Sequence, residues 1–218
     1  MIMKLISCLL DLLFPTKCVF CRQLIERNDE SICPKCKKEL PYTENGGILK
    51  GNFFTSCVSP LYYENSVREA LLRYKFYQLT AYAAPLGKLI SECVAEYIDA
   101  QVDIISWVPL SKKRLRSRGY DQARLLAETV SEELGIPCVP VLRKKKDTAP
   151  QSRTGSAEKR KKNISGAYEV IDKNLIDGKT ILLIDDIVTT GSTFAECART
   201  LGRGGANKVY CAAVARKR

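Results

Sequence analysis

The sequence predicts an α/β fold, a parallel sheet flanked by helices, with a small four-cysteine module ahead of it. Three observations predict it. Residues 181–184, Ile-Leu-Leu-Ile, are apolar without alternation, as in a strand covered on both faces. From residue 57 onward, short apolar runs alternate with segments of helical period, the order that builds a parallel sheet. Before them, Cys18-x-x-Cys21 and Cys33-x-x-Cys36 are separated by eleven residues. At 218 residues the chain has room for one such domain, with a sizeable core, and a small appendage.

Residues 1–16 read as an amphipathic helix, with Ile2, Leu5, Ile6, Leu9 and Leu13 on one side. Asp11 interrupts the apolar run and no small-residue cleavage site follows, which argues against a secretory signal. The run is also too short to span a bilayer. Docking on the rest of the chain or on a partner is the expectation. Contact with a membrane surface is the lesser reading, because a single lysine flanks the run.

Residues 17–45 hold the cysteine pairs. Two Cys-x-x-Cys knuckles close a tetrahedral zinc site, so Cys18, Cys21, Cys33 and Cys36 are the expected ligands. Few large apolar residues lie between them, so the metal must supply stability that a core cannot. A redox pair is the alternative, and two pairs this close weaken it. Four ligands leave no open position, which makes the zinc structural. The other six of the ten cysteines are scattered, as in a reducing compartment, and the expected location is cytoplasmic.

Gly46-Gly47 and Gly51-Asn52 mark a linker, and the main domain is expected over 53–218. Residues 57–63 read as a strand, and Ser66-x-x-Glu69 as a capping box for a helix with Val67, Ala70, Leu71 and Tyr74 inward. A second helix covers about 86–98. Between them, Arg73 to Phe76 suit a nucleic-acid surface or, more simply, an ordinary helix end. Residues 102–107 form a strand leading to the basic run 112–118. Asp121 caps a helix with Ala123, Leu126, Ala127, Val130 and Leu134 inward. Strands follow at 137–142 and 168–171, separated by a long basic loop, 143–163, of the kind that serves as a lid. After 181–184 comes a helix with Phe194, Cys197, Ala198 and Leu201 on one face, and the last strand is 209–214.

Charge and composition bound the chemistry. Lysine and arginine number 35 against 24 acids, a net charge of +11, which favours polyanionic partners. There is no histidine, so Ser-His-Asp and Cys-His catalysis, histidine relays and histidine-ligated metals are all excluded. Carboxylates, lysine, arginine, backbone dipoles and metal remain. No Gly-Lys-Ser/Thr follows the glycine loop, which excludes a Walker A motif, and the dinucleotide fingerprint is missing.

The stretch 181–193, ILLIDDIVTTGST, joins a buried strand, two carboxylates and a hydroxyl-rich loop at a helix start. Amides at such a helix start suit a phosphate, and the carboxylates suit sugar hydroxyls or Mg²⁺. Thr193-x-x-Glu196 also reads as a capping box. The stretch resembles the phosphoribosyl pyrophosphate (PRPP) motif of the type I phosphoribosyltransferases. That resemblance implies that Thr189, Thr190, Gly191, Ser192 and Thr193 take the 5-phosphate. It implies that Asp185 and Asp186 address the ribose and Mg²⁺, and that Lys112, Lys113 and Arg114 face the pyrophosphate.

With LLDLLFP at 9–15, RGYDQA at 118–123, QSR at 151–153 and Arg160 with Asn163, the whole chain resembles the ComF family, named for competence, the uptake of external DNA. The family implies a zinc ribbon on a type I phosphoribosyltransferase-like domain, with Gln151, Arg160 and Asn163 in the flexible loop. RGYDQA stands where the family has RGFNQA, and Thr154 where it usually has leucine. Two functions follow as expectations. One is Mg²⁺-dependent phosphoribosyl transfer from PRPP to an unidentified acceptor. The other is a non-catalytic module that grips single-stranded DNA among DNA-uptake proteins. A PRPP-sensing regulator is a third, less favoured because no helix-turn-helix segment is evident.

Overall fold

The computed structural model describes residues 16–25, 31–145 and 166–218. Among the described residues the first elements are a short helix α1 (Pro34–Glu39) and two short strands, β1 (Cys57–Val58) and β2 (Leu61–Tyr62). Helices α2 (Asn65–Phe76) and α3 (Ala83–Tyr97) lead to β3 (Ile104–Trp107). Then come α4 (Lys112–Arg118), α5 (Gln122–Leu134), β4 (Leu142–Lys144) and β5 (Tyr168–Val170). The chain closes with β6 (Thr180–Val188), α6 (Ser192–Arg203) and β7 (Lys208–Arg216).

The main sheet runs β1-β7-β6-β3, with β2 also beside β7, and every pairing in it is parallel. Successive strand side chains point to opposite faces, and both faces of β6 are covered. Leu182 and Ile184 pack with Leu71, Leu86, Ile90 and Leu126 from α2, α3 and α5. Ile181 and Leu183 pack with Phe194, Cys197 and Leu201 from α6. That two-sided burial is why the run 181–184 shows no alternation. The inward faces read from helical period are buried as expected in α2 and α6, and in α5 except for Leu134, which is half-buried.

Several local expectations are corrected. The strand over 57–63 is broken at Ser59-Pro60, where Ser59 N–H turns to the Gly46 carbonyl at 2.8 Å and proline has no N–H to offer a ladder. The stretch read as a linker is therefore packed: Gly46 and Gly47 are buried, and Leu49 bridges Cys57. Gly46 has φ 65°, and a Cβ there would lie 2.5 Å from Tyr97 Cδ2. Glu64 is the N-cap of α2 without a side-chain cap, and Glu69 pairs with Arg73 at 3.6 Å, so the Ser66–Glu69 capping box is not used. The basic run 112–118 is a helix, α4, capped by the Ser111 hydroxyl and ended by Gly119 at φ 81°. Cys138 bridges Ile105, but the strand near it, β4, pairs antiparallel with β5 apart from the main sheet.

The cysteine module is docked on the domain core. Val19, Phe20, Ile32 and Leu40 belong to the same buried cluster as Leu71 and Tyr82. The helix expected over 1–16, but for residue 16, lies outside the described residues, as does loop 143–163 beyond residue 145. Among the described residues no helix is long and apolar enough to cross a membrane.

Candidate functional site

The carboxyl ends of β3 and β6 open onto a cavity of about 450 Å³, where open parallel sheets place their ligands. β6 continues through the two acids because its ladder with β7 does: Asp185 pairs with Ala213 and Ile187 with Ala215. Asp185 and Asp186 are thus held on a strand that continues four residues past the expected end at Ile184, to Val188. Asp186 is buried, and its N–H donates to Asp185 Oδ1 at 2.8 Å. Lys75, from α2, brings its Nζ to 2.8 Å from Asp186 Oδ2. Burial, then the neighbouring Asp186 charge, raises the Asp185 carboxyl to about 8, with Lys75 pulling the other way.

Thr189, Thr190, Gly191, Ser192 and Thr193 all line the cavity. Gly191, at φ 71°, turns the chain from strand to helix and is the N-cap of α6, with no side-chain cap bond. The first-turn N–H groups of a helix lack carbonyl partners within it, and the helix dipole adds positive character there. An anion is favoured at that point. Thr190 and Ser192 hydroxyls lie 2.6 Å apart beside it. The Thr193–Glu196 capping box is not formed. Glu196 instead accepts the Gly166 N–H at 2.7 Å and pairs with Arg199 at 2.6 Å.

Positive charge surrounds this pair of acids. Among the described residues, Arg68, Lys75, Arg114, Arg118, Lys144 and Lys217 line the cavity against the two carboxylates alone. Of the three cations expected at a pyrophosphate, Arg114 is in the lining. Lys112 and Lys113 are exposed on α4 and are not part of it. A helix turns about 100° per residue, so Arg118, four residues on, shares the Arg114 stripe. Arg118 also donates to Gln122 Oε1 at 2.7 Å and stands 5.2 Å over the exposed Phe76 ring. Gln151, Arg160 and Asn163 lie outside the described residues.

Sequence reasoning placed Lys75 in a nucleic-acid surface or a helix end rather than beside the acids, and it missed Arg68, seven residues before it on one stripe of α2. A signal was present. Lys75 follows Leu71 by four, so helical period puts it beside the buried face, where a cation requires a counter-charge.

The four cysteines are brought together, their sulfurs all within 4.8 Å of one another and Cys21 Sγ 3.7 Å from Cys33 Sγ. Tetrahedral zinc thiolates have sulfurs about 3.8 Å apart, given Zn–S of about 2.3 Å. Cys33 N–H points at Cys18 Sγ and Cys36 N–H at Cys33 Sγ, both at 3.4 Å. Burial would raise the Cys18 thiol, but N–H groups from Cys33, Cys21 and Phe20 outweigh it and bring it to about 7. Burial and the neighbouring sulfurs push Cys36 up. Four thiolates this close need a divalent cation among them, and the donor set fits structural zinc.

Comparison with known proteins follows the same division. The phosphoribosyl transferase domain family matches residues 121–218, and the double zinc ribbon domain family matches residues 9–46. Competence protein F of Haemophilus influenzae is 26% identical over 93% of this chain and 98% of its own length. DNA utilization protein YhgH of Escherichia coli K12 is 30% identical over 85% of each chain. Among solved structures, glutamine PRPP amidotransferase from B. subtilis overlays with a TM-score of 0.44 and 18% identity. That overlay covers 64% of this chain and 30% of the other, so the present chain spans under a third of that enzyme.

Proposed function

The chain belongs to the ComF (competence protein F) family, and from that membership we propose that it serves DNA uptake in natural transformation through a PRPP-binding site. One observation supports the ligand above all. A strand carrying two carboxylates near its end, a left-handed glycine and a helix start without a side-chain cap meet in a cavity lined, among the described residues, by six cations. A bare phosphate would need no carboxylates there, and a neutral sugar would need no such surplus of positive charge.

In this reading the 5-phosphate sits at Thr189–Thr193, where the α6 amides and hydroxyls face it. Asp185 and Asp186 accept hydrogen bonds from the ribose hydroxyls, and they are the residues that would hold Mg²⁺. Bound there, Mg²⁺ would neutralise pyrophosphate charge and orient it. Arg114 and Arg118 face the pyrophosphate from α4. Where transfer occurs, the bond from ribose C1 to the pyrophosphate oxygen breaks, a bond from C1 to the acceptor forms, and pyrophosphate leaves with the electron pair. Lys75 holds Asp186 in place throughout. Calorimetric titration of PRPP in the presence and absence of Mg²⁺ tests the reading. Saturable one-to-one binding that needs Mg²⁺ supports it, and a flat titration with both overturns it.

A second reading is supported by the surface outside the cavity. Lys112, Lys113 and Arg116 are exposed on α4, whose last residue, Arg118, stands over the exposed Phe76 ring at the end of α2. Basic and aromatic groups together suit single-stranded DNA. That binding would fall steeply with salt, and neutralising Lys112 and Lys113 would weaken it without altering PRPP affinity.

A further inference from the structure

Three consecutive residues near the end of α2 reach three different parts of the molecule. Arg73 Nη2 donates to the carbonyls of Val19 and Phe20, at 2.9 and 2.8 Å. Those carbonyls belong to the Cys18-x-x-Cys21 knuckle itself, lying between two of the metal ligands. Tyr74 is buried, and its hydroxyl donates to the Gln122 carbonyl at the start of α5 at 2.8 Å. Lys75 meets Asp186 in the cavity. One turn of helix therefore fixes the knuckle, the sheet-covering helix and the acid pair relative to one another.

The two ends of this turn depend on each other. Val19 and Phe20 pack into the domain core, and the cysteines on either side of them set how their carbonyls are presented to Arg73. Arg73 is a forked donor with two carbonyls to satisfy, so its rotamer and the register of the helix end follow the knuckle. Lys75 is two residues away on the same rigid helix, and a 2.8 Å ion pair tolerates little displacement. Ligand at the acids holds Asp186 and thereby Lys75, and the same constraint runs back to the knuckle.

We propose that Arg73 is a positioning residue that couples the four-cysteine ribbon to the cavity: by clamping the Val19 and Phe20 carbonyls it sets Lys75 against Asp186, so zinc binding and ligand binding favour each other. The inference rests on the cavity binding PRPP. Linkage makes it reciprocal, so whatever factor zinc contributes to PRPP affinity, PRPP contributes to zinc affinity. Zinc coupled to folding alone would also respond to a ligand of the folded state, and Arg73→Met would leave that response in place.

The test measures zinc affinity of the full chain by equilibrium competition with a colorimetric chelator, with and without saturating PRPP, excess Mg²⁺ being present throughout. Wild type should hold zinc about fivefold or more tightly with PRPP. Arg73→Met, which keeps the aliphatic stem and loses both hydrogen bonds, should still bind PRPP yet show no such increase. Arg73→Lys should recover part of it. Lys75→Met breaks the same link from the cavity end and should also abolish the increase, which keeps the idea testable if Arg73→Met does not fold. Wild type that binds PRPP with unchanged zinc affinity overturns the coupling while leaving the binding site intact. Arg73→Met retaining the full increase overturns the role of Arg73. Wild type that fails to bind PRPP at all removes the site reading and the coupling with it.

Discussion

Lys75 Nζ stands 2.8 Å from Asp186 Oδ2, so a cation carried by α2 neutralises an acid at the open end of the central strand. Both side chains are largely buried, 17% and 11% exposed, which removes most of the solvent screening that weakens surface pairs. This contact gives one acid of the pair a counter-charge, while burial and the neighbouring charge raise the carboxyl of the other, Asp185, to about 8 before any ligand arrives.

Replacing Lys75 should expose that tension. Lys75→Met leaves Asp186 without its counter-charge, a loss of up to about 3 kcal/mol in folding stability. A divalent cation at the same carboxylates restores the balance, so millimolar Mg²⁺ should raise the melting temperature of Lys75→Met by more than that of wild type. Equal responses to Mg²⁺ in thermal melts would remove Asp185 and Asp186 as Mg²⁺-holding groups.

Gly191 supplies the left-handed turn at which α6 begins, and an alanine there is strained by about 1–2 kcal/mol. Its new Cβ would also lie 3.1 Å from Leu49 Cδ2, on a segment packed beside the loop. Gly191→Ala should therefore melt earlier and bind PRPP more weakly, with the affinity loss exceeding that of Gly119→Ala, a left-handed glycine whose added Cβ meets nothing within 4 Å. Comparable PRPP affinities for the two variants would separate the 189–193 loop from the phosphate.

Much of this arrangement was legible in the residues. The unalternating run 181–184 announced a strand covered on both sides, and the cysteine spacing announced the four-sulfur cluster. Helical period placed Tyr74 and Phe194 in the core. What stayed hidden depends on tertiary partners. Asp185 and Asp186 read as the start of a loop because polar side chains say nothing of a backbone ladder that continues to Val188 beside β7. Ser66-x-x-Glu69 and Thr193-x-x-Glu196 both fit a capping box, yet Glu69 and Glu196 found arginine partners one turn further along the same helix. Lys75 sat in a stretch more simply read as a helix end, because its partner lies more than a hundred residues away in sequence.

Glu196 gives a stability prediction with a defined sign. Burial would raise its carboxyl, but the Arg199 guanidinium and the Gly166 N–H outweigh that and hold it below the ordinary glutamate value. A depressed pKa contributes stability that is fully present above the unfolded value of about 4.5 and lost as pH falls through the folded value. Glu196→Gln should thus be less stable than wild type at pH 7 by about 1.5–3 kcal/mol, as expected for hydrogen bonds to a charged group. The gap should close on acidification below pH 4. Denaturant unfolding at pH 7 and at pH 3.5 measures it, and a gap independent of pH would rule out the ionic contribution.

Zinc should be needed by more than its own ribbon. Val19, Phe20 and Leu40 share a buried cluster with Leu71 and Tyr82, so loss of the metal opens one side of the domain core. Purified protein should carry one zinc per chain by atomic absorption. Cys36→Ser should lose it and unfold the domain at a lower temperature than wild type. Cys197→Ser changes a buried cysteine outside the cluster and should retain the metal. An unchanged melt for zinc-free Cys36→Ser would show that the ribbon is not part of the domain's cooperative unit.

The most direct test of the proposed site is a side-by-side titration of wild type and Asp186→Asn with PRPP and Mg²⁺, repeated with single-stranded DNA as competitor. Saturable, Mg²⁺-dependent PRPP binding is expected for wild type. Asp186→Asn should bind about tenfold or more weakly, the loss expected when a charged hydrogen-bond acceptor becomes neutral. Equal PRPP affinity for the two proteins, or no saturable binding by wild type, would contradict a phosphoribosyl site built on Asp186.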